Sequence, residues 1–447
     1  MSVFWKKLAV RTGVARFLPV AKRLTGGDTD SLHYFSDRVL AAPVQQLLDP
    51  ATFPEVAGPD VMDLNQAAPR FDSAVSGGRT AERNGHAPAW GLPQLRQAVA
   101  DQYRRRDGRG VHTADDVLVT HGASGAFAAT LDAFVNPGDR VVLFDPCSPV
   151  FSLGAQSRRA RVRWVPTWSE DGRTRFDEAN FATAMRGAKL LAVADPCNPT
   201  GGVLSPEDLE RIAFLANKSD VLVFLDESFS RFRYDGKPCS LAALPDMERR
   251  TLSAGSFTPG YGLGSLRVGW LTGPRSLVRA VALTANLSAP YVPGICQQIA
   301  ARAMLSDESA FESTLDDFRG RRRYVFDSLR KMGLDPTWPV GGFFFWVPVT
   351  KFGLDGRAFA EQLMKEQRVL VGPGCAYGPN GTDFVRVSFA AEDGRMREGL
   401  ARLAAFVAGL GGEPVVRSAT LSIPVSGSEG ASDAEPMPER IPVFSRV

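Results

Sequence analysis

Polar side chains that could bind a ligand or take part in a reaction follow two apolar runs in the middle of the sequence. Residues 195–202 read Asp-Pro-Cys-Asn-Pro-Thr-Gly-Gly and come directly after the apolar run 190–194. The run 221–226 ends in Asp226 and is followed by Glu227. Open α/β sheets bind ligands at the carboxyl ends of their strands, so both groups are candidate ligand residues. The alternative for the first segment is a turn rich in Asn, Pro and Gly.

These residues need a sheet to position them, and the chain predicts one with seven strands. Several of the strands are almost wholly apolar, which is typical of strands buried on both faces. Helical patterns lie between many of them, including one that begins at Ser205 with Pro206 in its first turn and Asp208 three residues after the cap. This alternation predicts an α/β domain with a mainly parallel sheet. The predicted strands are 117–120, 140–145, 162–165, 190–194, 221–226, 251–257 and 267–272.

The pattern changes after about residue 300. A long charged helix near 307–332 precedes an apolar run at 341–347, and these elements predict a small α+β domain. The tail is rich in Ser, Pro, Gly and Glu without periodicity, which favours flexibility. We therefore expect four parts: an N-terminal arm at 1–60, a large domain at 61–295, a small domain at 296–410 and a flexible tail at 411–447.

Composition excludes several classes of protein. A net charge of +3, with no basic cluster interleaved with aromatics, disfavours nucleic-acid binding. Five dispersed cysteines with no CxxC pair favour a reducing cytoplasm over disulfides or a metal site. No run approaches the roughly 20 apolar residues of a membrane span. Residues 1–24 are basic and amphipathic; we expect an arm packed on this chain or a partner, the alternative being an interfacial or targeting helix.

An ordered series of motifs runs through the predicted domains. It comprises 91–93, 122–124, 195–202, 226–227, 256–270, 341–344 and 384–389. In this order and spacing the series resembles the class I/II aminotransferases, which are fold-type I enzymes dependent on pyridoxal phosphate (PLP). The resemblance covers about residues 61–410. It implies a transferase of biosynthetic type, a homodimer, and PLP or its amine form, pyridoxamine phosphate (PMP), as cofactor.

The resemblance also implies a phosphate cup. Gly122, Ala123 and Ser124 would offer backbone N–H groups and a hydroxyl at a helix N-terminus. Ser256 and Arg267 match the family's remaining phosphate ligands, and a guanidinium can grip two oxygens at once.

Further positions correspond to residues that hold the ring and the substrate. Asp226 would pair with the protonated pyridine nitrogen, and Asn198 would hydrogen-bond the ring hydroxyl. Arg386 matches the arginine that binds a substrate α-carboxylate. His86 stands where relatives often have a tyrosine that reaches the partner subunit's phosphate, the alternative being a surface histidine.

Pro259 breaks the family pattern. The family motif carries its Schiff-base lysine eight residues before the arginine, and here Pro259 is eight residues before Arg267. No lysine lies between Lys237 and Lys331, so a slip in register does not recover it. Proline offers neither an amine nor a backbone N–H. Three other positions depart from the family: Phe229 replaces a tyrosine, Ser148 replaces the aromatic that stacks on the ring, and Ala67 replaces a glycine in the loop that covers the substrate.

Three hypotheses follow. In the first, an atypical enzyme of this superfamily holds PLP, PMP or a PLP–substrate adduct without a covalent bond and acts on a small amino-acid-like carboxylate. Tyr261, His86 and Cys147 are then candidates to move protons. In the second, a cofactor-independent enzyme uses the phosphate cup for another phosphorylated substrate. In the third, the chain is a non-catalytic partner of a lysine-bearing paralogue. Ordinary transamination is disfavoured in all three.

Overall fold

A computed structural model describes residues 60–64, 87–107, 113–236, 239–306 and 308–411. No helix within these ranges is both long and apolar enough to cross a membrane. The strands are β1 (Met62–Asp63), β2 (Val117–Thr120), β3 (Arg140–Asp145), β4 (Arg161–Glu170), β5 (Arg173–Phe176), β6 (Leu190–Ala194), β7 (Leu222–Asp226), β8 (Thr251–Ser256), β9 (Gly269–Thr272), β10 (Phe344–Pro348), β11 (Val369–Leu370), β12 (Gly372–Pro373) and β13 (Phe384–Ser388). The α-helices are α1 (Pro93–Asp107), α2 (Gly122–Phe134), α3 (Pro149–Ser157), α4 (Glu178–Met185), α5 (Pro206–Lys218), α6 (Phe257–Gly260), α7 (Arg275–Ser288), α8 (Gly294–Leu305), α9 (Ser309–Lys331), α10 (Gly356–Gln367) and α11 (Asp393–Gly409).

The main sheet has eight strands in the order β2-β9-β8-β7-β6-β3-β4-β5. Its centre is parallel from β8 through to β4, whereas β9 runs antiparallel to both of its neighbours. The predicted α/β class is confirmed, but the predicted count of seven strands is one short. The additional strand is β5, which forms an antiparallel hairpin with β4 at the edge of the sheet.

Apolar side chains cover both faces of this sheet. On one face, Phe127 of α2 packs between Phe151 and Phe224, with ring centroids 4.8 and 4.9 Å away. On the other face, Phe144 and Phe181 belong to a core that includes buried residues of α4 and α5. Such double coverage explains why the parallel strands are apolar throughout rather than alternating.

A second core lies around the three-stranded sheet β10-β13-β12. Here β13 pairs antiparallel with both neighbours, and α9, α10 and α11 contribute apolar side chains to the same core. Phe229 and Phe232, which follow β7, also belong to this core. The turn after β7 therefore connects the main sheet with the smaller one.

The start of α5 shows how local sequence sets an element. Ser205 Oγ accepts the backbone N–H of Asp208, and the Asp208 carboxylate accepts the N–H of Ser205 in return. Pro206 occupies the first turn, where its missing N–H costs nothing. The predicted helix start is confirmed, and it fixes the end of the loop that contains residues 195–202.

Removing the Phe127 ring tests the core that holds α2 on the sheet. Phe127→Ala leaves a cavity between two aromatic rings and should lower the free energy of unfolding by roughly 3–5 kcal/mol. Trp168, which is 51% exposed, supplies the control, because Trp168→Ala removes a ring that lies half in solvent and leaves no enclosed cavity, so it should cost clearly less. Urea denaturation followed by circular dichroism measures both. Equal shifts of the unfolding midpoint would contradict the assignment of this core.

Candidate functional site

Three strand ends meet at one place on the carboxyl edge of the main sheet. Because β9 runs antiparallel between β2 and β8, its first residue, Gly269, pairs with both Thr120 and Ser256. Helix α2 begins just after β2, and the short helix α6 begins just after β8. Arg267 precedes β9 by two residues. The register therefore delivers a helix N-terminus, two hydroxyl-bearing segments and a guanidinium to the same point.

Arg267 joins these segments through its side chain. Its Nη2 donates to Ser124 Oγ at 3.3 Å, and its Nη1 donates to Thr258 Oγ1 at 3.1 Å. The first N–H groups of α2, at Gly122, Ala123 and Ser124, have no partner within the helix. Together they form a concave set of donors with a positive charge, the combination that binds a phosphate. The structure thus brings these predicted cup residues together.

Two residues of the cup, Gly122 and Arg267, have backbone conformations with positive φ. Gly122 has φ +72°, and a Cβ added there would lie 2.9 Å from Arg267 Nη2. Arg267 itself has φ +52°, a left-handed conformation that is uncommon for residues other than glycine. Strained backbone of this kind persists where the surroundings fix it, and it concentrates at functional sites.

Ser256 and Thr258, at the start of α6, make different hydrogen bonds. Ser256 Oγ accepts the Thr258 N–H at 3.1 Å, which caps α6 and leaves the Ser256 hydroxyl hydrogen available to a ligand. Thr258, not Ser256, contacts the guanidinium. Sequence reasoning missed Thr258, although a hydroxyl two residues after Ser256 in the same motif was a usable signal.

Asp226 lies at the end of β7, the strand next to β8. Its Oδ1 accepts two hydrogen bonds from Ser228, one from the backbone N–H at 2.9 Å and one from the hydroxyl. Burial raises the pKa of the Asp226 carboxyl, against the opposing effect of Ser228. A protonated ring nitrogen beside Oδ2 would favour the ionised carboxylate. Neighbouring strands are about 4.8 Å apart. Asp226 therefore lies one strand from Ser256 and two strands from β9, which follows Arg267, a spacing that one ligand with a ring and a phosphate can bridge.

The turn at residues 195–202 is fastened at several points. Asp195 Oδ1 accepts the N–H of Leu204 at 2.9 Å, and Oδ2 pairs with Arg233 at 3.3 Å. Gly201 has φ +67° and its carbonyl accepts the N–H of Gly341 at 2.8 Å. Asp195 therefore has a structural role. The hydrogen bonds of the turn hold Asn198 in a defined position beside the end of β7.

Asn198 meets Arg386 across the two sheets. Arg386, from β13, is 4% exposed and donates from Nη1 to Asn198 Oδ1 at 2.8 Å. Its guanidinium also lies over the rings of Phe344, at 4.2 Å, and Tyr377, at 4.9 Å. A buried cation held in this way is well placed to bind a carboxylate, because the cost of burying its charge has already been met by the fold.

Pro259 lies in α6, one residue after Thr258, and is buried. Two of the candidate proton carriers are unsuited to act as bases. The Tyr261 hydroxyl faces Gln102 Oε1 at 3.4 Å, and burial raises its pKa to about 12. Burial also raises the pKa of the Cys147 thiol well above its usual value. Both groups are therefore protonated at neutral pH.

The side chain of Phe229 makes apolar ring contacts. Its ring is buried and lies 5.4 Å from Phe343 and 5.5 Å from Phe344, in edge-on contacts. Ser148 stands at the N-terminus of α3, immediately beyond the end of β3, and its side chain makes no capping hydrogen bond. His86 lies outside the described residues.

The main sheet is mostly parallel and carries the Arg267 cup at its edge, with Asp226 at the end of β7. Together with the second, smaller sheet, this arrangement is a fold-type I architecture. Comparison with known proteins agrees. The family model for aminotransferase class I and II matches residues 59–403. This chain belongs to that family.

Individual relatives support the assignment over most of the chain. The valine–pyruvate aminotransferase of Mycobacterium tuberculosis is 33% identical over 333 residues, which cover 72% of this chain and 83% of the relative. The aspartate aminotransferase of Pyrococcus abyssi is 29% identical over 358 residues, covering 77% and 91%. The solved structure of Thermus thermophilus aspartate aminotransferase with maleate superposes with a TM-score of 0.74 at 27% identity, covering 83% of this chain and 99% of that one.

Substitutions at two glycines distinguish a loss of ligand binding from a general loss of stability caused by backbone strain. Gly122 and Gly138 both have positive φ, but a Cβ at Gly138 would meet nothing within 4 Å. Each change to alanine should cost about 1 kcal/mol of stability. Only Gly122→Ala displaces the guanidinium, so it alone should weaken PMP binding, by roughly tenfold. Fluorescence titration measures the affinity; equal affinities in the two variants would contradict the cup.

Proposed function

We propose that this protein binds PLP or PMP without a covalent bond and acts on a small amino-acid-like carboxylate. The observation that carries the proposal is that the Arg267 cup and Asp226 lie at the same edge of the sheet, with Arg267 just before β9 and Asp226 at the end of β7, two strands away. The cup suits any phosphate ester. A carboxylate held by Ser228 at the same edge suits a ligand that also carries a protonated ring nitrogen.

The residues present match such a ligand at three points. Ser124, Thr258 and Arg267 would hold the phosphate, and Asp226 would keep the ring nitrogen protonated. Asn198 would hydrogen-bond the ring hydroxyl. When bound, the protonated pyridine ring would act as an electron sink for a carbanion at the substrate α-carbon.

Arg386 supports a carboxylate as the substrate group. Its guanidinium is buried between two aromatic rings and adjoins Asn198, so a carboxylate bound there would lie beside the ring. The two relatives above are named for aspartate and for valine, whose side chains differ in charge. Their common feature is an α-amino carboxylate, which is the substrate class we propose.

In our reading, Pro259 takes the place of the family's Schiff-base lysine. Its consequence is that residue 259 can neither bond to the cofactor nor carry a proton to the substrate. The phosphate and Asp226 contacts would then provide the binding energy that a covalent bond otherwise adds. We propose that ordinary transamination is not the reaction of this chain acting alone.

Ser148 favours a second candidate function. A short hydroxyl at this position gives a ring no stacking surface, so the cup would also serve an enzyme that takes another phosphorylated substrate. The role of a non-catalytic partner for a lysine-bearing paralogue stays a third hypothesis.

We also propose a cytoplasmic homodimer. Leu283 and Leu287 lie one turn apart on α7 and are 71% and 86% exposed, an apolar face that a second copy would cover. The five cysteines are free thiols. The domain boundaries at 61, 296 and 411 stay predictions, and most of the arm at 1–60 and the tail at 411–447 lie outside the described residues.

Ligand released from purified protein tests the proposed cofactor. Acid treatment of the full chain, expressed in cells that make PLP, should release PLP or PMP at close to one equivalent per chain. Mass spectrometry and absorption identify the compound. A protein that neither carries nor binds either form would exclude the proposal, and release of a different phosphate ester would favour the second candidate function.

Restoring an amine at residue 259 tests the proposed lysine position. Pro259→Lys should form a covalent link to PLP that borohydride fixes, visible as a new absorption band and a mass increase on residue 259. Pro259→Arg is the control, because a guanidinium adds a charge without forming this bond. If Pro259→Lys binds PLP no differently from Pro259→Arg, residue 259 does not face the cofactor carbon.

A further inference from the structure

An open groove of about 590 Å³ lies on the small-sheet side of the molecule, between α9 and α11. None of the candidate site residues lines it. Its walls are mostly apolar, with one positive side chain on each helix, Lys331 and Arg397. The lining residues are Tyr324, Ser328, Lys331, Met332, Phe352, Arg397, Leu400, Ala401, Ala404, Val407, Ala408 and Gly411.

The lining residues form two continuous helical stripes. On α11 and just beyond its end they recur every three or four residues, from Arg397 to Gly411, and several are alanine, so the wall is shallow. On α9 they begin at Tyr324 and end at Met332. A long, shallow and apolar channel of this shape accommodates an extended peptide better than a compact small molecule.

The two helices run in the same direction. Arg321 donates to the carbonyl of Ala391, just before α11, and three residues further along α9 the Arg397 guanidinium lies over the Tyr324 ring at 4.2 Å. Lys331, at the C-terminal end of α9, is therefore towards the same end of the groove as Gly411. The described chain ends at this point, on the groove itself.

The sequence beyond Gly411 has the composition that this groove needs. Thirty-six residues follow, and the first of them are Gly412 and Glu413. Residues 414–425 then read Pro-Val-Val-Arg-Ser-Ala-Thr-Leu-Ser-Ile-Pro-Val. Leu421, Ile423 and Val425 alternate with Ser and Pro, so an extended chain would present them on one face.

We propose that residues 414–425 of the tail lie in this groove of their own chain. The consecutive glycines at 411 and 412 permit the reversal of direction, and Glu413 then passes close to Lys331. From Gly411 back to Arg397 the helix covers about 21 Å. Twelve extended residues span up to about 40 Å, so the segment is long enough. The tail is thus divided into a docked apolar part and a Ser-, Gly- and Glu-rich remainder that leaves the surface.

Trypsin offers a test with an internal control, because the tail contains Arg417 within the proposed docked part and Arg440 beyond it. In the full chain, cleavage after Arg417 should be about tenfold slower than cleavage after Arg440, since proteolysis follows the population of the undocked state. Mass spectrometry of timed samples measures both rates. Equal rates would overturn the proposal.

Substitutions at two alanines of α11 test whether the slow cleavage after Arg417 depends on the groove. Ala408 and Ala405 are both exposed, but only Ala408 lines the groove. Ala408→Arg should fill the groove and abolish the difference between the two cleavage rates, whereas Ala405→Arg should preserve it. The same result for both variants would show that the protection of Arg417 does not come from this groove.

A photocrosslinker identifies the occupant. With p-benzoylphenylalanine in place of Tyr324, irradiation should link this position to residues 414–425. In mixed dimers of isotopically heavy and light chains, the linked peptides should come from the same copy. Links to a second copy, to the basic segment 1–24, or to neither would each overturn the proposal.

Discussion

The close approach of two glycines underlies the cup. A Cβ at Gly269 would lie 2.6 Å from the Gly122 backbone, so only the absence of a side chain at Gly269 lets the start of β9 touch the start of α2. The indole of Trp270 similarly lies against Gly255, where a Cβ would come within 2.1 Å. These contacts fix the distance between the helix N-terminus and the Arg267 guanidinium. The donors for a phosphate are thus positioned by backbone packing in the core of the sheet.

The two halves of the site consequently differ in what maintains them. The phosphate half is part of the sheet packing, so its loss would disturb the fold. The ring half of the site that we propose depends on single side chains at turns, such as Ser148 and Pro259. Phe229 has a structural role as well, since its buried ring joins the core of the small sheet through Phe343 and Phe344. In our proposal, the family fold is kept while the groups around the ring differ.

Sequence patterns anticipated the elements better than the contacts between them. The strands Leu190–Ala194 and Arg140–Asp145 have the predicted bounds, because uninterrupted apolar runs mark them. Strand β5 was missed, since three of its four residues, Arg173–Phe176, are polar and the strand lies at the edge of the sheet. The hydrogen bond between Arg386 and Asn198 joins residues 188 positions apart, and no local pattern carries that information. Thr258 lies outside the predicted site because the sequence motif is already satisfied by the hydroxyl of Ser256.

The contacts of the Arg386 guanidinium imply that an anion binding there would exchange one set of contacts for another, instead of only adding new ones. The guanidinium already has an amide oxygen at 2.8 Å and two aromatic faces, so an incoming anion competes with protein groups instead of with bulk water. A neutral molecule of the same shape would give up these contacts and receive little in return. If Arg386 binds the substrate carboxylate as we propose, discrimination between anionic and neutral ligands is built into the arrangement of these protein groups.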